Sequence, residues 1–296
     1  MADRGIDVVR AHLAKLPPSD SLTVAERRAQ YERAEKAFPT PAEVKVERVS
    51  APVAPAEWLR PPGAMAGRVV LYLHGGGYVI GSPRSHRHLA AAIATAGQAA
   101  ALLLDYRLAP EHRYPAAVDD AAAAYRWLLD QGIAAGQIVI AGDSAGGGLT
   151  VATLLALRDA RLPQPAGGVC ISPWVDLTCS GASYRTKAEA DPIVQQAAVE
   201  EMARAYLGAA APRTPLASPL FADLRGLPPL LIHVGSDEVL LDDSTQLADR
   251  ARIAGVDATL EVWERMIHVW HWFLPMLDEA EAAVDGIGRF IRTRAA

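Results

Sequence analysis

The stretch Ile138-Val139-Ile140-Ala141-Gly142-Asp143-Ser144-Ala145-Gly146-Gly147-Gly148 decides how this chain folds. It centres a serine in G-x-S-x-G, directly after an apolar run and directly before a helix-forming segment, residues 149–159. Strand, sharp turn, helix is the context that turns a common pentapeptide into a nucleophile elbow. Glycines on either side permit the tight backbone and leave room beside the hydroxyl. Ser144 is then expected at the carboxyl edge of a sheet, where a substrate carbonyl can reach it. A glycine-rich loop without chemistry is the competing reading, and the flanking pattern argues against it.

Working outward, apolar runs at residues 68–73, 99–104, 137–141, 168–171, 230–234 and 258–262 alternate with helical patterns at 85–96, 116–131, 240–254 and 276–292. Continuous apolar strands alternating with helices predict an α/β fold, a parallel sheet covered on both faces. Residues 44–49 add a strand-like stretch in which valines roughly alternate with charge. Ahead of it, Ile6, Val9, Leu13 and Leu16 have helical spacing, predicting a helix over about 3–15 that Pro17-Pro18 ends. Thr23 and Glu26 have capping-box spacing, predicting a second helix to about residue 37. Residues 180–219 break the rhythm with one long helical pattern at about 192–207. An insertion of that kind usually shapes a pocket from above.

Composition narrows the function classes. The chain of 296 residues is 51% hydrophobic and 21% charged, with net charge -5 and no basic cluster, which argues against nucleic acid as a partner. Its start lacks the apolar core of a secretion signal, and the apolar stretch 89–104 is broken by Gly97 and Gln98, so no membrane span is expected. Cys170 and Cys179 lack metal-site spacing and are too few for a disulfide framework. A cytoplasmic location is the expectation.

A serine hydroxyl is a poor nucleophile near neutral pH; it needs a base beside it and a carboxylate behind the base. In this strand order the acid and the histidine follow the serine. His233 lies inside an apolar strand and reads as core. His268 follows the last strand, on the same edge as Ser144, and is the expected base; His271 reads as a helical-turn or pocket-wall residue. The acid should leave the strand at 230–234, where Asp237 and Glu238 both stand and spacing does not separate them. Asp242 and Asp243 read as caps of the next helix. Backbone donors for an oxyanion are expected from Ala145 and from His74-Gly75-Gly76-Gly77-Tyr78. A phosphate loop is a poor alternative without G-x-x-x-x-G-K-[ST]. His86 and His88 lack the companions of a metal site.

These motifs resemble the hormone-sensitive-lipase-like branch of the α/β-hydrolases, esterases with an H-G-G-G motif. The resemblance rests on residues 74–82, on Asp105-Tyr106-Arg107-Leu108-Ala109-Pro110-Glu111, on residues 115–120 and on the elbow, and it spans roughly residues 45–290. It implies the α/β-hydrolase fold, with a mostly parallel central sheet and a helical cap. Residues 1–40 would contribute helices to that cap. Residues 41–296 would form the catalytic domain, carrying a cap insertion at about 180–219. Residue by residue, the resemblance makes Ser144 the nucleophile, His268 the base, and Gly76, Gly77 and Ala145 the oxyanion donors. The family's acid turn commonly reads D-P-L, and aligning its leucine on Leu240 puts the acid on Glu238, a departure from aspartate, with Asp237 as the fallback. Arg107 and Glu111 would hold loops together, and His74 would orient the glycine loop. No cofactor is expected.

Tyr78, Trp174, Met202, Tyr206 and Trp270 are candidate pocket walls, with core packing as the alternative for each. Bulky walls favour short acyl groups, so the expected activity is hydrolysis of small carboxylic esters through an acyl-enzyme, with a small-molecule ester as the partner. Lactone hydrolysis, acyl transfer to an alcohol, and a non-catalytic receptor on the same fold are the alternatives. A homodimer is an open assembly state.

Overall fold

A computed structural model of the protein describes residues 5–15, 22–50 and 54–296. The beginning of the first expected helix and its Pro17-Pro18 stop lie outside the described residues. Eight strands form one sheet: β1 (Lys45–Ser50), β2 (Pro55–Arg60), β3 (Val69–Leu73), β4 (Ala100–Leu104), β5 (Ile138–Asp143), β6 (Gly167–Ile171), β7 (Leu230–Gly235) and β8 (Ala258–Trp263), in the order β1-β2-β4-β3-β5-β6-β7-β8. β1 and β2 pair antiparallel, as do β2 and β4, and every pairing from β4 across to β8 is parallel.

Strands β3 to β7 are buried along their whole length, as expected of a sheet covered on both sides. Alternate residues feed two cores. Leu71, Leu73, Ile138 and Ile140 join the layer beneath α5 (Ala116–Asp130), α6 (Ala145–Asp159) and α9 (Leu241–Ile253). Val70, Tyr72, Val139 and Ala141 join the layer beneath α4 (Pro83–Gly97) and α10 (Asp278–Arg294). Edge strand β8 is half-buried and exposed by turns.

Chain order places the site. From β3 the chain crosses to β4 on one side, then returns to lay β5 on the other side of β3, with Leu73 opposite Gly142. The segments leaving β3 and β5 therefore diverge at a topological switch point, where α/β sheets open a crevice beyond their carboxyl ends.

Before β1 lie α1 (Ile6–Leu13), α2 (Val24–Tyr31) and α3 (Ala34–Ala37). The Thr23–Glu26 capping box is present, but the expected second helix is two short ones, α2 and α3. Residues 180–219 carry α7 (Ser183–Thr186) and α8 (Gln196–Leu207). The final helix starts at Asp278, because residues 270–276 form a tighter 3-10 stretch. β2 has no counterpart in the sequence reading.

Candidate active site

Ser144 joins β5 to α6 with φ 54° and ψ -121°, a sparsely populated backbone region for a residue with a side chain. Neighbouring glycines make this geometry possible. A Cβ on Gly142 would lie 2.3 Å from the carbonyl oxygen of Gly146, and one on Gly146 would lie 2.0 Å from that of Leu73. The Ser144 peptide is tied in place: its N–H donates to Ile171 O at 2.8 Å, and its carbonyl accepts from Trp174 N at 3.0 Å. Ala145 follows as the first residue of α6.

Beside the elbow, the chain leaving β3 turns through Gly76 (φ 112°), Gly77 (φ 60°) and Tyr78 (φ 62°). Asp143, one residue before the serine, binds this loop to the elbow. Its Oδ1 accepts from Gly75 N at 3.2 Å and from the Tyr72 hydroxyl at 2.7 Å. His74 stacks on Tyr106 with ring centres 4.2 Å apart, and the Tyr106 hydroxyl donates to His74 O at 2.7 Å. Burial pushes the His74 imidazole down to about 3, so it is neutral, and its Nδ1–H donates to Gly75 O at 2.8 Å.

The two candidate acids separate cleanly. Glu238 is fully buried, and its Oε2 lies 2.9 Å from His268 Nδ1. Its Oε1 accepts from Gly235 N at 2.6 Å and from the Ser172 hydroxyl at 2.8 Å. Asp237 points the other way, 2.7 Å from Arg10 and 3.8 Å from Lys187. Arg10 also donates to Ala190 O, next to Asp191, whose Oδ2 accepts from Val239 N at 3.0 Å. The acid turn is thus braced from α1 and from the 190–191 segment. Burial works against a charged imidazole at His268, but the hydrogen bond and charge of Glu238 outweigh it, and the net shift is upward.

Ser172 escaped the sequence reading. It is fully buried at φ 45°, and its hydroxyl oxygen also accepts from Val269 N at 3.1 Å, so one side chain braces both Glu238 and the segment that carries His268. Its only advance signal is its position directly after β6, at the same sheet edge as Ser144.

Asp242 and Asp243 tie the 175–183 segment to α9. Asp243 Oδ2 accepts from the N–H groups of Val175 and Asp176, each at 2.9 Å, and Asp242 accepts from Ser183 N at 3.0 Å. They do not cap α9 as the sequence suggests: its N-cap is Leu240, with no side-chain capping bond, and both carboxylates are engaged by the neighbouring segment instead.

Of the expected pocket residues, four converge. Tyr78 and Tyr206 stack with ring centres 3.9 Å apart at 7°, and Trp174 lies 6.1 Å from Tyr78. Met202 sits over the glycine loop; a Cβ on Gly77 would fall 2.1 Å from its sulfur. The three aromatic rings are buried in the core layer beneath α5, α6 and α9, which is the core-packing alternative. Trp270 is not part of this group. It belongs to the opposite core layer, against His271 (3.9 Å) and Trp263 (5.7 Å). Val269, in a left-handed conformation (φ 49°), turns the chain just before it. His271 sits there too, its Nε2 3.1 Å from Nδ1 of the buried His233.

Such a fold and site define an α/β hydrolase. A family model described as alpha/beta hydrolase fold matches residues 70–272. The chain is 51% identical over 270 residues to an acetyl-hydrolase of Streptomyces hygroscopicus, covering 91% of this chain and 90% of that one. It is 35% identical over 289 residues to the putative acetyl-hydrolase LipR of Mycobacterium tuberculosis, covering 97% and 94%. Among solved structures, EstE5 soaked with p-nitrophenyl butyrate superimposes with TM-score 0.93 at 51% identity, over 98% of this chain and 97% of that one. A hormone-sensitive lipase from a metagenome library gives 0.93 at 41% identity, over 98% and 97%. The chain belongs to the hormone-sensitive-lipase-like esterases of the alpha/beta hydrolase family.

Proposed function

We propose that this carboxylic ester hydrolase works as a serine esterase on short-chain esters, with Ser144 as nucleophile, His268 as base and Glu238 as acid. The observation that carries the reading is the buried 2.9 Å contact between Glu238 Oε2 and His268 Nδ1, at the sheet edge where the elbow presents Ser144. Glu238 holds Nδ1 protonated and leaves Nε2 as the lone pair that takes the serine proton. Ser144 Oγ attacks the ester carbonyl, and the N–H groups of Gly76, Gly77 and Ala145 receive the negative oxygen. His268 then protonates the departing alcohol, and water attacks the acyl-enzyme by the same route in reverse.

The short-acyl part draws support from Met202 seated on Gly77, which limits space beside the oxyanion donors. α1 to α3 and residues 180–219 act as the cap over this edge. No helix among the described residues is long and apolar enough to cross a membrane. Cys170 and Cys179 are both free and buried, which supports a cytoplasmic setting.

The test is a series of p-nitrophenyl esters of increasing acyl length, run on the wild type and on Ser144→Ala. Best turnover at two to about six carbons, abolished in the variant, is expected. A best rate at twelve carbons or more overturns the short-acyl assignment, and a fully active variant overturns the nucleophile.

A further inference from the structure

We propose that Arg28, on α2, is a positioning residue for the oxyanion loop, so that an N-terminal helix maintains the geometry in which the transition state is bound. The proposal rests on the serine-esterase reading above.

The loop needs an external support. Three successive residues, Gly76, Gly77 and Tyr78, have positive φ, and the third carries a large side chain in a conformation that L residues disfavour. Within the loop, Val79 N and Ile80 N both donate to Gly76 O, closing a turn. Beyond it, the Tyr78 carbonyl accepts from Ala109 N at 2.8 Å. Arg28 completes the attachment. Its Nε donates to Val79 O at 2.8 Å and its Nη2 to Ala109 O at 2.8 Å. One guanidinium therefore bridges the peptide that follows the oxyanion loop and the segment that loop leans on.

Glu111 orients the guanidinium through two further bonds, at 2.9 and 2.7 Å. That carboxylate is more than half exposed, so solvent screens the pair, and the carbonyl bonds carry the positioning. Arginine alone supplies this geometry: a planar fork reaches two carbonyls and a carboxylate together, whereas a lysine ammonium is a single point of charge. α2 is seated by other contacts as well, through Arg27 to Glu201 on α8 at 2.6 Å, while Glu32, just after it, meets Ser82. Removing Arg28 thus takes away two of the bonds that hold the loop and its neighbouring segment, without detaching the helix.

The experiment compares wild type, Arg28→Ala, Arg28→Lys and Glu111→Gln. It measures kcat per titrated active site, KM for p-nitrophenyl acetate, inhibition by phenylboronic acid, and the thermal midpoint. A loop misplaced by about an ångström costs about 10- to 100-fold in rate. Arg28→Ala should lose that much kcat with KM within about twofold, the pattern of a contact realised only in the transition state. Boronate, whose tetrahedral adduct mimics that state, should weaken by a similar factor. Arg28→Lys should recover only part of the loss, and Glu111→Gln should fall less than about threefold because the carbonyl bonds remain. Arg28→Ala with unchanged kcat per site and unchanged boronate affinity overturns the proposal. So does a loss explained entirely by fewer titratable sites. If Arg28→Ala does not fold, the lysine variant decides: wild-type kcat and boronate affinity in it overturn the proposal. Failure of the esterase reading shows separately, as wild-type protein without a titratable Ser144.

Discussion

The Ser172 hydroxyl donates to the Glu238 oxygen that His268 leaves free, 2.8 Å away, while its own oxygen accepts the N–H of Val269. Ser172→Ala removes both bonds and strands a buried N–H, a loss of about 1–3 kcal/mol in stability. The expected result is a lower melting temperature together with a several-fold drop in kcat, since Glu238 keeps only Gly235 N on that side. Unchanged values for both would show that the brace is idle.

Glu238→Gln should cost about four orders of magnitude in kcat, because an amide disturbs the imidazole tautomer that the carboxylate enforces. Asp237→Asn should cost less than about tenfold, since Asp237 faces Arg10 and Lys187. Steady-state kinetics on the two variants makes the comparison, and the opposite ranking would reassign the acid.

The His268 imidazole is raised above its ordinary value of about 6.5, and in the proposed role of base it must be unprotonated to accept the serine proton. Activity should therefore fall as pH drops, with the midpoint of kcat/KM above about 6.5. A profile from pH 5 to 9 checks this, and a flat rate or a midpoint below 6 speaks against it.

Burial pushes the Asp243 carboxyl up to about 8, far above its unfolded value. A raised folded value means the native state holds the extra proton, so this contribution is complete below about pH 4 and is lost as pH rises through about 8. Asp243→Asn keeps an oxygen for the N–H groups of Val175 and Asp176 and cannot ionise. Thermal melts at pH 6 and 9 should show a smaller decline in the variant than in the wild type. An equal decline would place the pH sensitivity elsewhere.

The parallel strands, the elbow and the glycine loop were legible because each is a local pattern: an apolar run, then a glycine-rich turn. Other features depend on partners far along the chain. β2 begins with Pro55 and buries Glu57 against Arg87 at 2.6 Å, which breaks the alternation a half-buried strand normally shows. Glu238 and Asp237 leave the same turn, and partners distant in sequence distinguish them: Ser172 and His268 bind Glu238, whereas Arg10 and Lys187 meet Asp237. Ser172 acquires its role from residues 66 and 97 positions away. Trp270 had the right neighbourhood in sequence, but the left-handed Val269 sends it to the other face of the sheet.

Labelling with an organophosphate, followed by peptide mass spectrometry, tests the central claim most directly. One adduct per chain on Ser144 is expected, forming far more slowly in His268→Ala. An adduct on any other residue, or undiminished labelling without the imidazole, would contradict the account.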